Sequence, residues 1–450
     1  MMLRSRTMTQ PQPRPEPAWA ELGIADVPAE DRSVVRFATF QLFVVLYLQK
    51  FSVGPLTFQI SVPLLIMTGG LIWMFLKRRI GFSPTRTGLY LIFASCCLFS
   101  QLLANRIGSV PSILELLLIY GFMATSAPLS DAGYRRLLDN FMKLMILPAI
   151  IVLVQFGIQR ITGRGDPISM DHLLPKSILL QGYVYEANYP HWDSVFQRPN
   201  GFFFLEPSFI SFFTASAVIV EVTYFRRPFV AILMTLATAL TSGGTGVTML
   251  ILAAPFLLAR ESSRLVLPLI VIAVLGIGAA YMLGANLPLI SRIDELDQST
   301  IGGGYNASGS LRLIIPWNRL IEFLSDPSYL FTGAGAGSTG PQLGSAWPIL
   351  KITREYGVVT MLSFVALFIS GFFGAYNVAL KFAVAVIFNF TGGYLLDSFT
   401  VEFFTILFFI VEPVRGETPN PVLRRERRTT YSRGALEPWQ QRISTPSADT

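Results

Sequence analysis

Charge is scarce in this chain: 14% of its 450 residues are Asp, Glu, Lys or Arg, where soluble chains carry about a quarter. With 52% hydrophobic residues and a mean hydropathy of +0.52, that scarcity excludes a single water-soluble domain. Cysteine is nearly missing, and Cys96 and Cys97 are adjacent, a spacing that rarely satisfies disulfide geometry. It matches no zinc or redox pattern either, so the pair reads as small apolar filler and no metal or cofactor is expected. The only histidines are His172 and His191. The start of the chain lacks signal-peptide architecture, and no internal repeat is visible. The apolar runs also lack the alternation of barrel strands, which leaves helical spans as the way across a membrane.

What is present is a succession of apolar runs long enough for roughly 30 Å of hydrocarbon. The expected fold is an all-α polytopic membrane protein of about twelve transmembrane helices, near 35–51, 57–76, 86–104, 111–127, 141–158, 203–224, 228–241, 245–259, 265–284, 353–374, 376–396 and 399–412. Residues 1–33 form a polar, Pro-rich tail with Arg4, Arg6 and Arg14, of the composition that stays disordered. Residues 34–412 form the transmembrane domain. Residues 413–450 form a basic tail with Arg424, Arg425, Arg427 and Arg428.

With both termini placed in the cytoplasm, about two thirds of the 35 lysines and arginines fall inside, as the positive-inside rule requires. Lys77, Arg78, Arg79, Arg135, Arg136, Arg226, Arg227 and Lys381 are among them. The net charge of +7 is thereby explained by position, without nucleic acid. Two long segments, 159–202 and 285–351, then lie outside, and long loops usually carry function.

The cations in those outer loops are the exceptions to the rule. Arg198 and Arg312 stand in patterned contexts, with Arg319 close behind the second, and a guanidinium fork matches phosphate oxygens. Arg160, Arg164 and Arg292 read as solvated loop charge. Arg198-Pro-Asn-Gly-Phe-Phe-Phe-Leu-Glu-Pro-Ser-Phe209 places an arginine and a glutamate where a polar loop re-enters an apolar span, a costly position without a partner or ligand. Thr241-Ser-Gly-Gly-Thr-Gly246, with Ser242 and Thr245, reads as a tight hairpin or as part of a site. Thr332-Gly-Ala-Gly-Ala-Gly-Ser-Thr-Gly340 removes side chains at Gly333, Gly335 and Gly337, which frees backbone amides to approach an anion or sugar. No Lys-Ser/Thr follows it, so it is not a nucleotide P-loop.

The order of these motifs resembles the central signature of the Wzy-like O-antigen and exopolysaccharide polymerases, within the superfamily that includes the O-antigen ligases. Arg312 to Trp317, the glycine loop and Glu355-Tyr-Gly357 resemble the second half of that superfamily's pattern. The overall layout is similar to that of xanthan-type exopolysaccharide polymerases. The resemblance covers about residues 198–375. It implies a metal-independent glycosyltransferase of the bacterial inner membrane that joins undecaprenyl-diphosphate-linked oligosaccharides at the periplasmic face. Chain-length and export proteins of a polysaccharide pathway would be its partners, besides membrane lipid. Ligases carry a His-Asn pair after the glycine loop, whereas Gly344, Ser345, Ala346 and Trp347 stand here. A ligase-like transferase and a lipid-linked oligosaccharide flippase are the alternatives.

For the acceptor hydroxyl, Glu206 is the first candidate base, His191 the second and Glu355 the third. Glu206 reads equally as a partner that locks Arg198. His191, amid Tyr183, Tyr185, Tyr189 and Trp192, reads equally as a packing residue or a sugar contact.

Overall fold

A computed structural model describes residues 27–54, 59–104, 108–162, 168, 170, 173–180, 198–241, 243–259, 315–325, 327–338, 347–372, 378–390 and 395–413. Thirteen α-helices are described: α1 (Arg32–Tyr47), α2 (Val62–Leu76), α3 (Pro84–Leu103), α4 (Val110–Gly121), α5 (Asp131–Thr162), α6 (Pro207–Val220), α7 (Pro228–Leu240), α8 (Gly244–Leu258), α9 (Ile315–Leu324), α10 (Pro327–Leu330), α11 (Pro348–Ser370), α12 (Val378–Phe390) and α13 (Ser398–Thr405). Proline punctuates the chain. It occupies the first turn of α2, α3, α4, α6, α7 and α11, where the missing N–H has no helical partner in any case. Ser61 and Ser109 cap α2 and α4 by accepting from Leu64 N and Ser112 N.

Four helical segments, Pro84–Leu103, Asp131–Thr162, Pro207–Phe225 and Pro348–Ser370, are long and apolar enough to cross a membrane. Six more apolar segments run only 10–17 residues. At 1.5 Å per residue the 13-residue α7 reaches about 20 Å, short of a full hydrocarbon layer. The sequence expectation of about twelve spanning helices is therefore met only in its coarser form, a mostly helical membrane protein. The expected span at 265–284 lies outside the described residues, as do 1–26 and 414–450 of the two tails. The fold also carries short strands: β1 (Ser52–Val53), β2 (Ile60–Ser61), β3 (Gly81–Phe82), β4 (Thr125–Leu129) and β5 (Val411–Pro413).

The strands mark the two ends of the bundle. β3, β4 and β5 form one sheet, antiparallel then parallel, which gathers the α2–α3 connection, the α4–α5 connection and the exit from α13 at one end. Lys77, Arg78, Arg79, Arg226 and Arg227 belong to connections at this basic end, and Arg135 to the start of α5 there. At the opposite end β1 and β2 form a hairpin, and Phe51 bridges to Leu179.

Helix directions alternate accordingly. α6 and α8 run parallel, with Ser211 against Gly243 and Gly246 and Ser216 Oγ 3.8 Å from Met249 Sδ. α12 packs antiparallel to α8, since Phe256 meets Phe382, centroids 5.0 Å apart, near the basic end. The core between them is aromatic: Phe212, Phe213, Phe403 and Phe404 are buried, with Phe213 and Phe403 centroids 4.9 Å apart at 82°. Such edge-to-face pairs add about 0.5–1.5 kcal/mol beyond area burial.

Candidate active site

The first motif block is built around a turn that only a glycine and a strained phenylalanine make. Gly201 has φ +67° and Phe202 has φ +68°, a left-handed pair whose non-glycine member costs about 1–3 kcal/mol. Buried side chains impose it. Gln155 of α5 accepts from Gly201 N at 2.9 Å through Oε1 and donates from Nε2 to Ile168 O at 2.8 Å and Asn200 Oδ1 at 3.3 Å. Asn200 Oδ1 also accepts from Phe202 N at 3.0 Å. Gln155 and Asn200 are both buried, so the turn is held from inside the bundle.

Arg198 enters this turn half-buried, and Glu206 leaves it half-buried at the N-cap of α6. There the helix N-terminus favours a carboxylate. Glu206 Oε2 accepts from Ser208 Oγ at 3.0 Å, a hydrogen bond that runs along the helix start. α6 then meets the second glycine break. Ser211 Oγ donates to Gly243 O and accepts from Gly246 N, both at 2.9 Å. A Cβ on Gly243 would lie 2.5 Å from Ser211 Cβ, and one on Gly246 would overlap Ser211 Oγ and its carbonyl. Thr245 is buried beside them. The two halves of the expected signature are thus one packed unit, joined by a serine.

The glycine loop and α11 form the second block. α11 is broken at Gly357, φ +84° and ψ 170°, which leaves the carbonyls before it without helical donors. The loop supplies them: Ala334 N donates to Arg354 O at 2.7 Å and Gly335 N to Glu355 O at 3.2 Å. Gly333 N donates to Tyr329 O at 2.8 Å. The amides of Gly333 and Gly335, expected to face a ligand, are therefore used within the protein. What those glycines provide is positive φ, at +71° and +96°, and at Gly333 close approach, since a Cβ there would lie 2.5 Å from the Glu355 carbonyl. Gly337, φ +72°, is exposed at the end of the loop. Glu355 is 1% exposed.

A glutamine holds this block too. Gln101, near the end of α3, accepts from Ala336 N at 2.8 Å and donates to Glu355 O at 3.3 Å. Ser109 N donates to Ala336 O at 2.9 Å, which ties in the start of α4.

Both blocks lie at the same end. Trp347, before α11, packs on Phe390 at the far end of α12, centroids 5.7 Å apart, and α12 is antiparallel to α8. Trp317, five residues after Arg312, packs tilted against Trp347, centroids 6.2 Å apart at 40°. Arg312, His191 and Ser242 lie outside the described residues, and so does the Arg319 side chain, though its helix α9 is described. Among the described residues no group of three or more His, Cys, Asp or Glu side chains is gathered to hold a metal ion.

The comparison that decides the family covers the first block and reaches past Arg312: the chain matches the WcaD colanic acid polymerase family over residues 38–322, more than half its length. The chain belongs to the WcaD colanic acid polymerase family. A search of curated proteins finds no match. As a member of that family it is a membrane polymerase of the glycosyltransferase type, which joins repeat units in polysaccharide synthesis and takes a lipid-linked oligosaccharide. The match contains the left-handed turn, the Ser211 contact, α2 to α8 and most of α1 and α9. It ends before the glycine loop and Gly357.

Gln155, Gln101 and Ser211 are the site-building residues that motif reading missed. Their signal in the sequence is weak but physical: each glutamine is an uncharged polar side chain in the apolar second half of its helix, where it must find partners.

Proposed function

We propose that this polymerase lengthens undecaprenyl-diphosphate-linked oligosaccharide at the periplasmic face of the bacterial inner membrane, with both termini in the cytoplasm. One observation carries the reading: in a family of polysaccharide polymerases, both motif blocks are built onto one end of the bundle, and basic connections mark the other. The positive-inside rule assigns that basic end to the cytoplasm.

Arg198 and Arg312 bind the donor diphosphate, with Arg319 beside them. The bond between the anomeric carbon and the diphosphate oxygen breaks, and the lipid diphosphate leaves with the electron pair. The acceptor hydroxyl oxygen forms the new bond at that carbon. Arginines fixed before reaction stabilise the charge growing on the leaving group. Glu206 accepts the hydroxyl proton; His191 is the second candidate, and Glu355, almost fully buried, the third. Ser242, Thr245 and the loop of Gly333, Gly335 and Gly337 wall the sugar site. The lipid tail lies between helices at the membrane boundary. Chain-length and export proteins of the pathway receive the product.

Purified protein given lipid-linked repeat units in detergent is expected to produce a ladder of longer lipid-linked chains. Movement of the lipid across vesicles without lengthening would overturn the polymerase reading in favour of a transporter. Glu206→Gln is expected to slow the purified enzyme about 10²–10⁴-fold, and an unchanged rate would remove Glu206 as the base.

A further inference from the structure

Two glutamines, Gln155 buried and Gln101 half-buried, perform the same operation on the two blocks. In each, the amide oxygen takes a backbone N–H from the loop, Gly201 for Gln155 and Ala336 for Gln101. In each, the amide nitrogen gives to an oxygen of a second segment, Ile168 O and Asn200 Oδ1 for Gln155, Glu355 O for Gln101. Both glutamines come from helices outside the motif runs, α5 and α3. Both act where the backbone is unusual, at the left-handed Gly201–Phe202 turn and at the loop inserted into the break of α11. Neither a hydrophobic residue nor a carboxylate could do this, because the grip needs a donor and an acceptor on one planar group.

We propose that Gln155 and Gln101 are positioning residues for the polymerase, an inference that rests on the reading above. Gln155 sets the turn between Arg198 and Glu206, three residues beyond one and five before the other. Gln101 seats the glycine loop on the Glu355 carbonyl and so sets the wall opposite. Neither touches substrate; each fixes the backbone from which a proposed reactive or walling group is presented. Small misplacements of such groups cost rate steeply, on the order of 10²-fold for 1 Å. The cost falls on the chemical step, because lipid and sugar contacts elsewhere are kept.

The test compares Gln155→Ala, Gln101→Ala and, as a control, Gln41→Ala. Gln41 is buried as Gln155 is, but its partner is Ile66 O of α2, away from both blocks. Amide exchange and polymer kinetics are measured on the purified full chain. Gln155→Ala is expected to speed exchange at Gly201, and Gln101→Ala at Ala336. In each the kcat falls about 10²-fold while KM stays within about twofold and the melting temperature falls no further than in Gln41→Ala. Wild-type kcat in either variant would overturn the assignment of that glutamine. A kcat loss matched by Gln41→Ala, or tracking the melting temperature, would overturn it as well, since that is a merely structural effect. Wild-type protein that lengthens nothing would sink the polymerase reading instead, and the exchange pattern would then decide the clamp alone.

Discussion

The two ends of the bundle are held by different forces. At the basic end, side-chain charges meet. Arg227 sits between Glu221, 2.8 Å away and fully buried, and Asp139, 3.0 Å away and also buried; Lys143 reaches Asp139 at 2.7 Å. Burial opposes the charge on Arg227, yet hydrogen bonds and attraction from Glu221 and Asp139 outweigh it, so its pKa moves up. At the motif end, backbone meets backbone: glycines let segments touch, and serine and glutamine side chains satisfy the exposed amides and carbonyls. A pair of charges tolerates small movements, because Coulomb attraction falls off slowly with distance. Close backbone packing tolerates none. One end is therefore suited to anchoring and the other to holding groups in a set geometry.

That contrast can be broken by substitution. The largest effect is expected from Gly357→Ala. Its φ and ψ belong to a region that is nearly glycine-only, and a Cβ there would overlap the Phe331 carbonyl. A loss of about 3–5 kcal/mol is expected, read as loss of folded protein in a thermal melt; an unchanged melt would show that the close packing is not needed. Arg227→Ala comes next. It leaves Glu221 and Asp139 short of a partner and is expected to cost about 2–4 kcal/mol, discounted because Arg227 is partly exposed. Activity per folded molecule should be kept, and a selective loss of rate would join the basic end to the chemistry. The smallest effect is expected from Glu402→Met in the middle of the bundle. Glu402 is fully buried on α13, and neither carboxylate oxygen has a hydrogen-bond partner among the described residues. Removing it should hold stability within about 1 kcal/mol or raise it; a larger loss would reveal a role for the carboxylate.

Much of this organisation is legible in the sequence. Apolar runs announce helices, and basic clusters such as Lys77-Arg78-Arg79 mark one set of connections. The motifs announce the other end: the run from Arg198 to Phe209 and the Gly243–Gly246 break are both apparent as patterns. Their contact is not, because Ser211 Oγ reaches Gly243 O across 32 residues and no local rule couples them. Gln155 and Gln101 are hidden for the same reason, their partners lying 46 and 235 residues away. The glycine loop shows a further limit. Alternating glycines say that side chains must be absent, but not whether the space admits a ligand or another strand of backbone. Here, at Gly333, it admits α11.

The most direct test of the account is polymer yield from Arg198→Ala and, separately, Arg312→Ala at equal protein level in the membrane. Loss of polymer in both, with single repeat units accumulating on the carrier lipid, is the predicted result. Full polymer yield from either variant would contradict the claim that these two guanidinium groups act together on the leaving diphosphate.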